Sequence, residues 1–363
     1  MTKDLVSNFV KEAPPYSFGL DAGKKAFREG VSEIICELDK NENPFGVSPK
    51  AVEAMKTACE SANRYPDILA TSLREKLAAL HGLSTDNIMV TQGATANLGF
   101  IAEMFIKEND EVIVPVPTYP NYYNLVKKND GILVKVPTGE GFEIDFDKMY
   151  EAITDKTKLV FIANPNNPTG TLCDDDKLLD FINKLPSHVV IVVDEAYFDF
   201  VEDPNYKSMI PYIKDGLNLI VVKTFSKLYG MAGSRIGYVM SNKEIIDYLQ
   251  IDGIGYCCNI VGLAGAEAAV DDREFVEMTI SKNKEGRDYL TTEMTKLGFT
   301  VYPSNTNFIY FKPTLSPKEL ADELYTFGIM IRGETDCNRI SVGTMDENRM
   351  AIAAMKQILL EER

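Results

Sequence analysis

Through the first two-thirds of the sequence, apolar residues fall in short runs. They are "NIMVTQG" from Asn87, "EVIVPVPT" from Glu111, "GILVKVP" from Gly131, "KLVFIANP" from Lys158, "HVVIVVDEAY" from His188, "NLIVVKTF" from Asn218 and "IGYVMS" from Ile236. Several are apolar at consecutive positions, the pattern of strands covered on both faces. Between them the apolar residues take helical spacing. "SPKAVEAMKTACES" opens with Ser48 as N-cap and Pro49 at the first helical position. "ATANLGFIAEMFI" and "DDDKLLDFINKL" read as further helices, the second with acidic residues in its first turn. This alternation predicts an α/β fold whose mainly parallel sheet carries helices on both faces. From about residue 243 the texture changes to long helical patterns, among them "EFVEMTISKNKEGRDYLTTEMTKLG". After these come "FTVYPSNTNFIYFKP", a helix "SPKELADELYTFG" and the short strands "IMIRG" and "RISVGT", which predict a smaller α+β domain.

Composition narrows the classes of function. The chain has 363 residues, 45% hydrophobic and 25% charged, enough for a large domain and a smaller one. Its formal net charge of −16 opposes nonspecific binding to nucleic acid or anionic lipid, although a local basic pocket for a small anion remains compatible with it. No apolar run approaches the roughly 18 residues that span a bilayer. The N-terminal "MTKDLVSNFVKEAPPYSFG" lacks the pattern of a secretory signal. The six cysteines form no C-x-x-C, so a cytoplasmic protein with reduced thiols is expected. Only two histidines are present, which argues against a His-ligated metal site or a His-dependent triad. Proton transfer is expected to use another group.

Open α/β sheets bind ligands beyond the carboxyl ends of their strands. Three consecutive runs here end in "ANPNNPTG", "DEAY" and "KTFSK". Lys227, just past a buried strand, would be desolvated, which lowers an amine's pKa and makes it nucleophilic. Thr224, Ser226 and Arg235 offer hydroxyls and a guanidinium fork suited to phosphate. Asp194 ends a strongly apolar strand and needs a cationic partner, and Tyr197 lies three residues on. The two Asn-Pro steps fix a turn that presents the amide of Asn164, Asn166 or Asn167. In "VTQGATANLGF", a strand runs through Gly93 into a helix whose free N–H groups make an anion site, although neither G-x-G-x-x-G nor a Walker A sequence occurs. Singly, each motif also reads as an ordinary strand end. Together they assemble an amine, an acid and a phosphate cradle, the set that a pyridoxal phosphate site requires.

These stretches, with "LDKNENPFGVSP", "RYPD", "PVPTYPNYY", "KTFSKLYGMAGSRIGYV", "NFIYF" and "NRISVGT", run in order from about residue 38 to 344. The chain resembles the fold-type I pyridoxal-phosphate aminotransferases of class I/II and, among them, the histidinol-phosphate aminotransferases. The resemblance implies a large cofactor-binding domain over residues 46–245 and a small domain over 246–363. Residues 1–45 would be an N-terminal arm that contributes part of the small domain. It implies Lys227 as the lysine that carries pyridoxal 5′-phosphate and moves the substrate proton, with Asp194 on the ring nitrogen. Asn167 and Tyr197 would bond the ring's phenolic oxygen, and Tyr119 would stack on the ring. Ala94, Thr95, Thr224, Ser226 and Arg235 would hold the phosphate, joined by Tyr65 of a neighbouring subunit in a homodimer. Arg339 would grip a substrate anion and Arg332 a substrate phosphate. Asn43 and, from the N-terminal arm, Tyr16 would lie near the substrate.

The resemblance implies ping-pong transfer of an amino group between an amino acid or amino-alcohol phosphate and a 2-oxo acid or phosphorylated ketone. Two departures leave the substrate open. "GATAN" stands where histidinol-phosphate enzymes carry an acidic "GADE" or "GSDE", and "CCN" at Cys257 to Asn259 replaces a Pro-Tyr-Asn segment. A decarboxylase or lyase on the same scaffold, similar to threonine-phosphate decarboxylase, is one alternative. An aromatic- or aspartate-type aminotransferase is another, and a non-catalytic binding protein a third, against which Lys227, Asp194 and Arg235 speak.

Overall fold

In a computed structural model, the structure describes residues 26–253 and 257–361, together with Phe9 and Lys11. After a short β1 (Cys36–Glu37), all seven apolar runs form strands of one sheet. These are β2 (Ile88–Thr91), β3 (Glu111–Val116), β4 (Ile132–Pro137), β5 (Thr157–Ala163), β6 (Val190–Asp194), β7 (Leu219–Thr224) and β8 (Gly237–Met240). They lie in the order β2-β8-β7-β6-β5-β3-β4. Strands β3 to β7 are mutually parallel, and β8 runs antiparallel to both β2 and β7. Two apolar clusters sandwich the sheet. One holds Ile113, Val160, Ile162, Val193 and Val221, the other Val112, Leu159, Phe161, Val192 and Val222. Alternate residues of the same strands therefore enter opposite layers, which is why the runs are apolar throughout.

A second unit has its own core. Its four-stranded sheet uses β9 (Thr300–Val301), β10 (Phe308–Lys312), β12 (Arg332–Gly333) and β13 (Asn338–Ser341), in the order β12-β13-β10-β9. The helices Arg273–Lys296, Pro317–Thr326 and Met345–Glu361 pack with it around Leu290, Phe311, Leu324, Ile340 and Met355. Strand β1 pairs in parallel with β11 (Ile329–Met330), so the segment before residue 40 joins this unit. The helix Ile260–Val270 packs instead on the first unit, burying Leu263, Ala266 and Ala269 in the cluster that holds Ala51 and Leu73.

Parallel register aligns the strand ends. Ala163 pairs with Asp194, and Asp194 with Val222, so the turns after β5, β6 and β7 leave one edge side by side. The loop after β7 is pressed against the segment that follows β1. Gly230 has φ +67°, and a Cβ there would lie 1.9 Å from the carbonyl oxygen of Gly46. Gly46 has φ +82° with open space around its missing side chain. Gly230→Ala is therefore expected to lose roughly 2 kcal/mol or more in urea unfolding, because backbone must move. Gly46→Ala should lose only about 1 kcal/mol, the cost of a left-handed alanine. Equal losses would contradict the close approach.

Candidate active site

The three strand ends bring their polar residues together. Asp194 is buried, accepts a hydrogen bond from Tyr122 Oη at 3.0 Å on one oxygen and from the Ala196 N–H at 3.1 Å on the other. No cation pairs with it among the described residues. Burial pushes its carboxyl up to about 6, and the two hydrogen bonds only partly oppose that. Such an acid fits a ligand that presents a protonated ring nitrogen.

Lys227 Nζ donates to the Lys40 carbonyl at 3.0 Å and lies 5.6 Å from the Tyr197 ring centre. Burial first, then the positive charges of Arg339 and Arg235, bring its pKa down to about 8, with Glu42 opposing. An amine near neutrality at physiological pH can both bond to a carbonyl carbon and carry a proton. Neither histidine competes for that role. His81 Nε2 lies 2.9 Å from Tyr238 Oη and His188 is exposed beside the Thr154 carbonyl.

An anion site adjoins them. The helix Ala94–Phe105 starts after Gly93, and the N–H groups of Ala94 and Thr95 have no acceptor among the described residues. Arg235 turns back with φ +56°, donates to Ala232 O at 2.9 Å and reaches Ser226 Oγ at 3.4 Å. Thr224 Oγ1 holds the Ser226 N–H at 3.1 Å. Gly93 has φ +94°, and a Cβ there would lie 2.8 Å from the Arg235 guanidinium, so only glycine lets the two halves of this cradle close. A helix N-terminus, hydroxyls and a guanidinium together suit a phosphate.

Arg339 closes the other side. It is buried, donates to Asn167 Oδ1 at 2.5 Å and to the Asp39 carbonyl at 2.9 Å, and its Nε has no partner among the described residues. Arg332 is its cross-strand neighbour. Of the three candidate asparagines, Asn164 binds Tyr206 and Asn166 binds Pro117 O and Thr169, so only Asn167 faces this arginine. Tyr119 packs edge-on against Tyr122, 5.5 Å between ring centres. Tyr65 is 80% exposed, on the surface of this single chain. Tyr16 lies outside the described residues.

The geometry gives Asn43 a bracing job. Its Nδ2 donates to Leu228 O at 2.8 Å and its Oδ1 accepts from the Phe45 N–H at 3.0 Å, so it holds the loop that carries Lys227. Asp39, Lys40, Asn41 and Asn43 contact Arg339, Lys227, Tyr197 and Leu228 in turn, and sequence reasoning had singled out only the last of the four. It also missed Tyr122, the hydroxyl partner of Asp194. The available signal was a second tyrosine three residues after Tyr119 in "PTYPNYY", in the first turn of the helix Asn121–Lys128.

The chain is similar to proteins already known. A family model described as aminotransferase class I and II matches residues 33–355. A histidinol-phosphate aminotransferase of Idiomarina loihiensis is 34% identical over 360 residues, covering 98% of both chains. Another, of Moorella thermoacetica, is 36% identical over 336 residues, covering 91% of this chain and 86% of that one. A solved histidinol-phosphate aminotransferase of Sinorhizobium meliloti, in complex with pyridoxal-5′-phosphate, superimposes with a TM-score of 0.90 at 26% identity. It covers 99% of this chain and 98% of that one.

The raised Asp194 gives a signed prediction for the ligand-free protein. Its unfolded carboxyl titrates near 3.8 and its folded one near 6, so the folded state binds the extra proton between those values. Stability from this group is therefore present below pH 4 and lost as pH rises to 6, by on the order of 3 kcal/mol. Asp194→Asn removes that loss. Glu195, also raised by burial, to about 7, cancels in the comparison between variant and wild type. Thermal melts of ligand-free protein should show the Asp194→Asn variant gaining on wild type from pH 4 to 6. A variant that falls behind over that window would contradict it.

Proposed function

We propose that this chain, which belongs to the aminotransferase class I and II family and is a pyridoxal-phosphate enzyme of the histidinol-phosphate aminotransferase type, moves an amino group between an amino-alcohol phosphate such as histidinol phosphate and a 2-oxo acid. The observation that carries the reading is one sheet edge holding a neutralisable lysine, an unpaired buried carboxylate and a phosphate cradle, with two cross-strand arginines beside them. The donor set fits the cofactor at both ends. Asp194 suits its ring nitrogen, and Ala94, Thr95, Thr224, Ser226 and Arg235 suit its phosphate.

When bound, pyridoxal phosphate supplies an electron sink for the pair left at the substrate's Cα as its proton departs. The chain does the rest. Lys227 Nζ takes up that proton and returns it. Asp194 stabilises a positive charge placed against it, at a site too buried for water to do so. Tyr197 and Asn167 offer hydrogen bonds to the ring's oxygen side, and Tyr119 a ring face. Arg339, tied to Asn167, takes a substrate carboxylate or phosphate, and Arg332 beside it takes a second anion. A substrate that carries a phosphate in one half-reaction and a carboxylate in the other suits two such arginines.

We further propose a homodimer in the cytoplasm, with Tyr65 reaching the neighbouring phosphate cradle. Its 80% exposure in one chain supports that assignment. The division into an arm over 1–45, a large domain over 46–245 and a small domain over 246–363 is supported by the separate apolar cores, with the helix Ile260–Val270 packing back onto the first.

Glutamate added alone to the loaded enzyme should shift the cofactor's visible band, and histidinol phosphate should do the same, with no carbon dioxide released. Carbon dioxide without stored amine would point to a decarboxylase and overturn the proposal. Lys227→Ala should lower turnover by at least about 10²- to 10⁴-fold, the usual contribution of a positioned proton carrier. Arg339→Lys, which loses the fork, should raise the donor's KM by about 10-fold or more, worth roughly 1.4 kcal/mol.

A further inference from the structure

The segment after β1 contains Asn41, a buried residue to which the sequence motifs assign no role. Its backbone takes φ +54°, a left-handed conformation that asparagine tolerates better than most residues. All of its polar groups are used. The backbone N–H donates to Ser341 Oγ at 2.8 Å and the carbonyl accepts from Asn307 Nδ2 at 3.0 Å. Oδ1 accepts from the Ser341 hydroxyl at 3.2 Å, and Nδ2 donates to Tyr197 Oη at 3.0 Å.

Ser341 sets which way the amide points. Its oxygen already accepts from the Asn41 N–H, so its single proton needs an acceptor, and Asn41 Oδ1 is the acceptor in reach. That leaves Nδ2 toward Tyr197. An amide NH₂ only donates, so at this contact the phenol oxygen is an acceptor and its own proton stays free. The described residues offer that proton no acceptor. The ring itself is fixed by edge-on packing against Phe308, 5.1 Å between centres. Burial also holds the phenol's pKa above its usual range, so the proton stays on the oxygen.

We propose that Asn41 is a positioning residue: by donating to Tyr197 Oη it turns the phenol's proton into the cofactor pocket. The inference rests on the reading of Tyr197 given above. It also assigns the segment after β1 a chemical task, because Asn41 is anchored on Ser341 and Asn307 of the second unit while Tyr197 belongs to the β6 strand end. The phenol is a donor toward the pocket only while those two units are docked.

Two substitutions separate this role from a structural one. Asn41→Asp keeps the shape but presents an acceptor, which draws the phenol's proton away from the pocket. Asn41→Gly removes only the side chain, at a φ that glycine adopts freely, and leaves both backbone bonds in place. The readout is the pH midpoint of the bound cofactor's visible absorbance, measured without substrate. A hydrogen bond given to the cofactor's oxygen lowers its tendency to share a proton. Losing that bond in Tyr197→Phe should therefore raise the midpoint, by about one pH unit. Asn41→Asp should raise it by a similar amount, and Asn41→Gly by a few tenths of a unit.

The same substitutions are then repeated on Tyr197→Phe. Asn41→Gly should now shift nothing, and Asn41→Asp should keep only the small effect of its charge. If Tyr197→Phe moves the midpoint but both Asn41 shifts persist unchanged in its absence, Asn41 does not act through the phenol and the inference falls alone. If Tyr197→Phe leaves the midpoint where it was, the reading of Tyr197 and this inference fall together. Should Asn41→Asp fail to fold, the glycine pair still decides the matter, with melts of the ligand-free variants as the folding control.

Discussion

A carboxylate at the end of β6 lies out of water with two hydrogen bonds and no cation among the described residues, and much of the surrounding structure keeps it there. Parallel register fixes Asp194 between Ala163 and Val222, and the apolar layers on both faces of the sheet shut out solvent. Tyr122, stacked on Phe161 with ring centres 4.7 Å apart, brings a hydroxyl to the acid that cannot neutralise it. The arrangement is costly in the ligand-free protein and would turn favourable against a positively charged group. A buried acid of this kind trades folding stability for affinity toward one charge type, a trade common at functional sites.

The rest of the site follows from the same sheet edge. Because β5, β6 and β7 are parallel neighbours, one strand end supplies the asparagine, the next the acid and phenol, and the third the lysine and hydroxyls. Their separations are set by the spacing of strands, about 4.8 Å. Arg339 reaches in from a different sheet and is held by Asn167 on one side and the Asp39 carbonyl on the other. The residues proposed for substrate and for ring recognition therefore share one hydrogen bond, between Arg339 and Asn167. A disturbance of the second unit's docking would be felt at both.

Most of the fold was legible in the sequence because its strands are buried on both faces and so read as unbroken apolar runs. All seven runs appear in the sheet, and the polar residues that end β5, β6 and β7 sit on one edge. The residues proposed to face the cofactor stand out in the sequence for the same reason, since they follow those runs directly. What escaped notice depends on contacts between segments distant in sequence. Tyr122 meets Asp194 across 72 residues and Asn41 meets Tyr197 across 156, and neither pairing leaves a local pattern. The residues flanking Asp194 and Tyr197 in the chain would read the same with or without those partners. Asn43 lies in a conspicuous motif, yet its bonds to Leu228 O and the Phe45 N–H, which brace the loop after β7, leave no local pattern either. The helix Ile260–Val270 looked like the start of the second unit because the texture changes near residue 243, yet its small residues Gly262, Gly265 and Ala266 let it pack closely on the first.

We propose that Asp194 keeps the cofactor's ring nitrogen protonated. This is tested most directly by loading the enzyme with pyridoxal phosphate labelled with ¹⁵N in the ring and recording the nitrogen's chemical shift from pH 6 to 9. The nitrogen should stay protonated throughout in the wild type and lose that proton in Asp194→Ala. A neutral ring nitrogen in the wild type at pH 7 would contradict it.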